Sequence, residues 1–130
     1  MKWIILLVTV ALTLSFFVLK LRASQILSAN TAREYLKQGA LLVDVRTPDE
    51  YRSGHLPGSV NIPLDRVREE LPRRLPDKSH PVLLHCRSGR RSALAEQQLR
   101  ALGYTNVLNL GSYGQAERLL RSRSVGNSGS

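Results

Sequence analysis

Pro81-Val-Leu-Leu-His-Cys86-Arg-Ser-Gly-Arg-Arg-Ser92 joins a short apolar run to a basic turn, and a helical stretch follows it up to Leu102. Pro81–His85 has the composition and length of a buried strand. Ser92–Leu102 carries Leu94, Leu99 and Leu102 and ends at Gly103, a helix stopped by glycine. Between them, a tight loop turns successive backbone N–H groups inward and makes an anion nest. The positive end of the following helix points into the same space. Gly89 supplies a position where positive φ costs little. A thiolate at Cys86 would be stabilised there. Its pKa is expected to fall from about 8.5 into the range ~3.5–7.5, leaving the sulfur charged and exposed.

Outward from this loop, strands and helices alternate. Thr31-Ala-Arg-Glu34 has capping-box spacing and predicts a helix from there to Lys37, ended by Gly39. Leu41–Val45 reads as a strand. Thr47-Pro-Asp-Glu50 predicts a short helix to Arg52 that stops at Gly54. Ser59–Ile62 reads as a brief strand and Leu64–Leu71 as a helix. Asn106–Leu110 reads as the last strand, and Gly114–Arg121 as a closing helix. The alternation implies a parallel α/β sheet covered on both faces. Ligands in such sheets bind at the carboxyl ends of the strands, where Cys86 falls.

The 130 residues suffice for one domain. The net charge of +9 is concentrated at the ends and in the loop. Ser24–Leu120 holds 14 Lys/Arg against 10 Asp/Glu, a difference of only +4. Three of those cations are Arg87, Arg90 and Arg91, so the pattern suits a small anion and does not fit nucleic acid. Cys86 is the only cysteine, which excludes an internal disulfide and a Cys-rich zinc site. His55, His80 and His85 lack ligand-like spacing, so no metal or other cofactor is expected.

Trp3–Leu19 is an apolar run interrupted only by Thr9, Thr13 and Ser15, with Lys2 before it and Lys20 and Arg22 after it. As a helix it would span roughly 26 Å against a hydrocarbon core of ~30 Å. Residues 1–23 are expected to be an uncleaved single-span anchor in the inner membrane, embedded through residues 3–21. The basic residues after the span lean the domain toward the cytoplasm. The alternative is a signal segment cleaved on export to the periplasm. Residues 24–121 form the expected domain, and the polar residues 122–130 a flexible tail.

The loop, together with Asp44-Val-Arg46 and Gly54-His-Leu-Pro-Gly-Ser-Val-Asn-Ile-Pro63, resembles the rhodanese homology domain, in the family's order and spacing. The resemblance covers roughly Ser24–Leu120. It implies a three-layer sandwich with a five-stranded parallel sheet. It also implies that Cys86 cycles between thiol and persulfide, moving a sulfane sulfur from thiosulfate to cyanide, a thiol or an acceptor protein. In thiosulfate-specific two-domain relatives a Lys is typical at the second place after the cysteine, where this chain has Ser88. Mercaptopyruvate sulfurtransferases often have Ser there, but with Gly before it, where this chain has Arg87.

In this reading Arg87, Ser88, Gly89, Arg90 and Arg91 bind the anionic donor. Arg91 bonds across the loop or to a carboxylate. Asp44 and Arg46, on one face of a strand, make a charge network beneath the loop. His55 supports its turn by a hydrogen bond. His85 packs with its side chain turned away from that of Cys86. The domain is expected to be monomeric. Phosphatases of related fold use His-Cys-x5-Arg, but here Arg91 gives x4, a pocket fitted to one sulfur atom. Two rival readings are a membrane-tethered persulfide carrier or docking module with little small-molecule turnover, and a redox sensor.

Overall fold

A computed structural model of the chain describes residues 1–126, without the side chains of residues 24–27 and 123–126. It divides into two compact units, Met1–Thr31 and Ala32–Ser130. Helix α1 runs from Lys2 to Lys37. Its first unit exposes Trp3, Leu7, Leu12, Phe16, Phe17 and Leu19. The Thr9 and Thr13 hydroxyls donate to the carbonyls of Leu6 and Val10, so neither is left unpaired on this apolar surface. The helix is long and apolar enough to cross a membrane, and a signal sequence passes the same test.

The expected helix start at Thr31 is corrected: Thr31 lies inside α1. Residues 2–37 contain neither Gly nor Pro, so nothing breaks the helix before the turn at Gly39.

The second unit is a parallel sheet of four strands, β1 (Leu41–Asp44), β2 (Val60–Asn61), β3 (Val82–His85) and β4 (Val107–Gly111), in the order β2-β1-β3-β4. The expected fifth strand is absent among the described residues. The chain is helical up to Lys37, before β1, and again from Tyr113, after β4, so the described segments flanking the four strands are helix and not strand. Between the strands lie α2 (Pro48–Ser53), a 3-10 turn (Leu64–Arg66) continuing into α3 (Val67–Arg74), and α4 (Arg90–Ala101). Helix α5 (Tyr113–Gly126) closes the fold. It extends five residues into the stretch expected as a flexible tail; residues 127–130 lie outside the described residues.

Two apolar layers flank the sheet. Val43, Val45, Val82, Leu84 and Cys86 face α3 and α4 through Val67, Leu71, Ala95 and Leu99. Leu42 and Leu83 face the other side, toward Ala32 and Ala116. Alternation along β3 decides which neighbour reaches which layer. Cys86 goes to the α4 side, and His85 to the side of Tyr113, whose ring it meets edge-on at 5.9 Å. The sheet thus has helices on both faces, and its order reverses between β1 and β3, the point where open α/β sheets place ligands.

Candidate active site

The loop after β3 is pinned from three directions. Cys86 N–H donates to the Gly111 carbonyl at 3.3 Å, and Tyr113 N–H to the Arg87 carbonyl at 3.3 Å. The Gly89 carbonyl accepts from Asn109 Nδ2 at 3.2 Å and from Ser92 Oγ at 3.1 Å. Gly89 has φ +93° at the cap of α4, and a Cβ there would sit 3.1 Å from Gly111 Cα. Conformation and space therefore both require glycine at this point.

The Cys86 sulfur accepts the Gly89 N–H at 3.0 Å and faces Ser92 Oγ at 3.5 Å. Burial pushes the thiol up, but hydrogen bonds from the Ser92 hydroxyl and from the Ser92, Gly89 and Ser88 N–H groups outweigh it. They hold the thiol below its ordinary value. The nest read from the sequence is therefore present. Its exposure is corrected: Cys86 is 0% exposed, because the strand turns its side chain into the α4 layer and the loop closes over it. Arg87, Ser88 and Arg90 are exposed around this cover, whereas Gly89 and Arg91 are half-buried.

Arg91 finds its carboxylate on α2. Nη1 donates to Glu50 Oε1 at 2.6 Å and Nη2 to Glu50 Oε2 at 3.0 Å. Glu50 Oε1 also accepts from the N–H and hydroxyl of Thr47, closing the capping box of α2. The Arg91 hydrogen bonds hold the Glu50 carboxyl down at about 2.

Asp44 and Arg46 form a buried ion pair. Asp44 is fully buried and accepts from Arg46 N, Nε and Nη2 at 2.7–3.0 Å. Arg46 Nη2 also donates to the Gly54 carbonyl, and its guanidinium lies 4.9 Å from the centre of the Tyr113 ring. Losing one partner would strand a buried charge, at about 3–5 kcal/mol. Asn61 Nδ2 ties the Asp44 and Arg46 carbonyls together. His55 lies apart from the loop, stacked on Tyr51 at 3.8 Å, with its ring nitrogen 2.9 Å from the Tyr51 carbonyl. His85 is buried with both ring nitrogens unpartnered, 3.9 Å from Asp44 Oδ2. Burial lowers its pKa and Arg46 adds to that, against the pull of Asp44.

Sequence reasoning missed three contributors. Ser92 contacts the sulfur from within the loop's own segment, whereas Asn109 reaches the loop only through the fold. Tyr113 is set by β4 and α5 against a cleft of ≈ 390 Å³, lined also by Arg46, Glu50, Ser53, Gly54 and Arg87. Of these, only Ser92 carried a signal, its place at the helix start beside the cysteine.

A profile of the rhodanese-like domain matches residues 28–115, and the chain belongs to that family. Among curated proteins, thiosulfate sulfurtransferase PspE of Escherichia coli K12 is 42% identical over 69 residues, covering 53% of this chain and 66% of the relative. A sulfurtransferase of Allochromatium vinosum is 39% identical over 76 residues, covering 56% and 66%. Among solved structures, a rhodanese with anions from E. coli superposes with TM-score 0.57 at 38% identity, covering 58% of this chain and 89% of that one. The human single-domain sulfurtransferase TSTD1 gives 0.57 at 30%, covering 67% and 89%. The chain spans 66%, 55% and 58% of the lengths of three curated relatives it matches. Family and relatives together support sulfur transfer as the general chemistry.

Proposed function

We propose that the protein is a thiosulfate sulfurtransferase working through a Cys86 persulfide. The observation that carries this reading is the Cys86 sulfur held by Gly89 N–H and by Ser92 at the amino end of α4, in a loop whose sequence carries Arg87, Arg90 and Arg91. The Cys86 thiolate attacks the outer sulfur of thiosulfate. The bond between the two sulfurs of thiosulfate breaks, and sulfite leaves with the electron pair. The outer sulfur, now bound to Cys86 about 2.0 Å beyond Sγ, carries the negative charge. Cyanide or a thiolate then takes that atom and returns the cysteine as thiolate. Every step is a displacement at sulfur, and no general base is needed because the loop ionises the thiol.

Arg87 and Arg90 attract the sulfonate end of the donor. The cleft beside Arg87 is the entry path, with loop residues 87–88 moving aside to uncover the sulfur. Asp44, Arg46 and His55 act as support beneath and beside the loop. The apolar helix is a membrane anchor, with the domain on the cytoplasmic side.

Intact mass spectrometry after brief exposure to thiosulfate tests the mechanism. The chain is expected to gain one sulfur atom, lose it to cyanide, and gain none as Cys86→Ala. No gain in the parent chain sinks the proposal. The covered sulfur favours a second reading, a persulfide carrier loaded by a partner protein that opens the loop. Slow cyanide turnover with rapid loading from a protein donor distinguishes it.

A further inference from the structure

The side chain of Asn109, on β4, spans two backbone groups. Its Nδ2 donates to the Gly89 carbonyl at 3.2 Å, and its Oδ1 accepts the Gly111 N–H at 2.8 Å. One partner is an acceptor and the other a donor, so a single orientation of the amide satisfies both. Gly111 lies on the same strand, so the amide is anchored at one end and turned toward the loop with the other.

The Gly89 carbonyl has more donors than it can serve. Besides Asn109 Nδ2, it receives the Ala93 N–H at 3.1 Å and lies 3.1 Å from Ser92 Oγ. A carbonyl oxygen offers two lone pairs. The Ala93 N–H is fixed by helix α4, and the Asn109 amide by Gly111. Ser92 is the surplus donor, and its single hydroxyl proton is free to rotate. The second acceptor within its reach is the Cys86 sulfur at 3.5 Å. Ser92 is fully buried, so the choice lies between these two atoms.

We propose that Asn109 is a positioning residue: by filling the Gly89 carbonyl it turns the Ser92 hydroxyl proton toward the Cys86 sulfur, and so steadies the anionic sulfur that transfer requires. Its purpose rests on the sulfur-transfer reading, but its physical content concerns the thiolate alone. Without the amide, one lone pair of the carbonyl falls vacant. The Ser92 proton is then drawn to an oxygen at 3.1 Å in competition with a sulfur at 3.5 Å. Asn109 touches Gly89 and Gly111 and acts on the sulfur through Ser92.

The charged and titratable groups on the surrounding elements are His85 on β3, Asp44 and Arg46 at the end of β1, Glu50 on α2, Tyr113 at the start of α5, and Arg87, Arg90 and Arg91 in the loop and α4. All of them stay in place in the variants below.

The test is a titration of the full chain by the ultraviolet absorbance of the thiolate, with Cys86→Ser as the blank. Asn109→Ala is expected to raise the midpoint by about half a pKa unit, roughly a threefold loss of thiolate below the midpoint. In a Ser92→Ala background the same substitution is expected to raise it less, because no hydroxyl proton is left to redirect. Simple loosening of the loop would act equally with and without the Ser92 hydroxyl. An unchanged or lowered midpoint in Asn109→Ala, or a rise as large or larger in the Ser92→Ala background, overturns the proposal. If Asn109→Ala does not fold, Asn109→Asp takes its place in the same cycle, because it keeps the acceptor for Gly111 N–H and loses the donor to Gly89. Repulsion from the new carboxylate is common to both backgrounds and cancels in their difference. The titration uses no sulfur donor, so it is decided separately from whether thiosulfate loads Cys86.

Discussion

Glu50 keeps its charge at a pH where an ordinary glutamate has lost it. Its carboxyl lies at about 2 in the fold against an ordinary 4.5, chiefly through the Arg91 hydrogen bonds. A depressed carboxyl stabilises the fold fully above its unfolded value, and that stabilisation is lost as pH falls through the folded value. Glu50→Gln is therefore expected to lower the melting temperature at neutral pH, with the gap from the parent chain closing between about 4.5 and about 2. Thermal melts across that window check it, and a constant gap would contradict the assignment. His85 acts in a higher window. Its depressed basicity withdraws stability as pH falls below 6.5, and that step is expected to remain in the Glu50→Gln variant.

Loop and helix α4 behave as one element. An extra residue after Gly89 would rotate Arg90, Arg91 and Ser92 by about 100° around the helix. The Glu50 fork, the Ser92 contact with sulfur and the Asn109 bond to the Gly89 carbonyl would then compete for incompatible positions. Persulfide formation is expected to fall on the order of a hundredfold, as for a reacting group displaced by about 1 Å. A stopped-flow assay of sulfite release measures it, and an unchanged rate would rule out the pocket-size argument.

The loop itself was legible because its chemistry is local: strand, cysteine, glycine and helix start are consecutive. The α2 cap was legible for the same reason, since Thr47 and Glu50 lie within one turn. What local sequence could not show was that Glu50 also serves Arg91. The acid in the first turn of α2 had a sufficient local explanation, and its second partner is supplied only by the parallel pairing that sets β1 beside β3. The fifth strand failed for a related reason. Only four strand-like runs exist in the sequence, and the fifth rested on the family's pattern alone.

At the scale of the whole molecule, the first unit and the domain present different surfaces. Residues 3–21 expose a nearly continuous apolar surface, whereas the domain buries its core in two layers of its own. The full chain is expected to sediment with lipid vesicles, and a chain lacking residues 1–23 to stay in the supernatant while still taking up sulfur. Co-sedimentation of the truncated chain would argue against the anchor. The covered sulfur has a consequence for the protein's durability. A lone thiol sealed beneath a loop meets neither dissolved oxygen nor the thiol of another molecule until the loop lifts. Under the proposed sulfur transfer, every encounter with a donor requires the sulfur to be uncovered first, and between encounters the same burial keeps the atom out of reach.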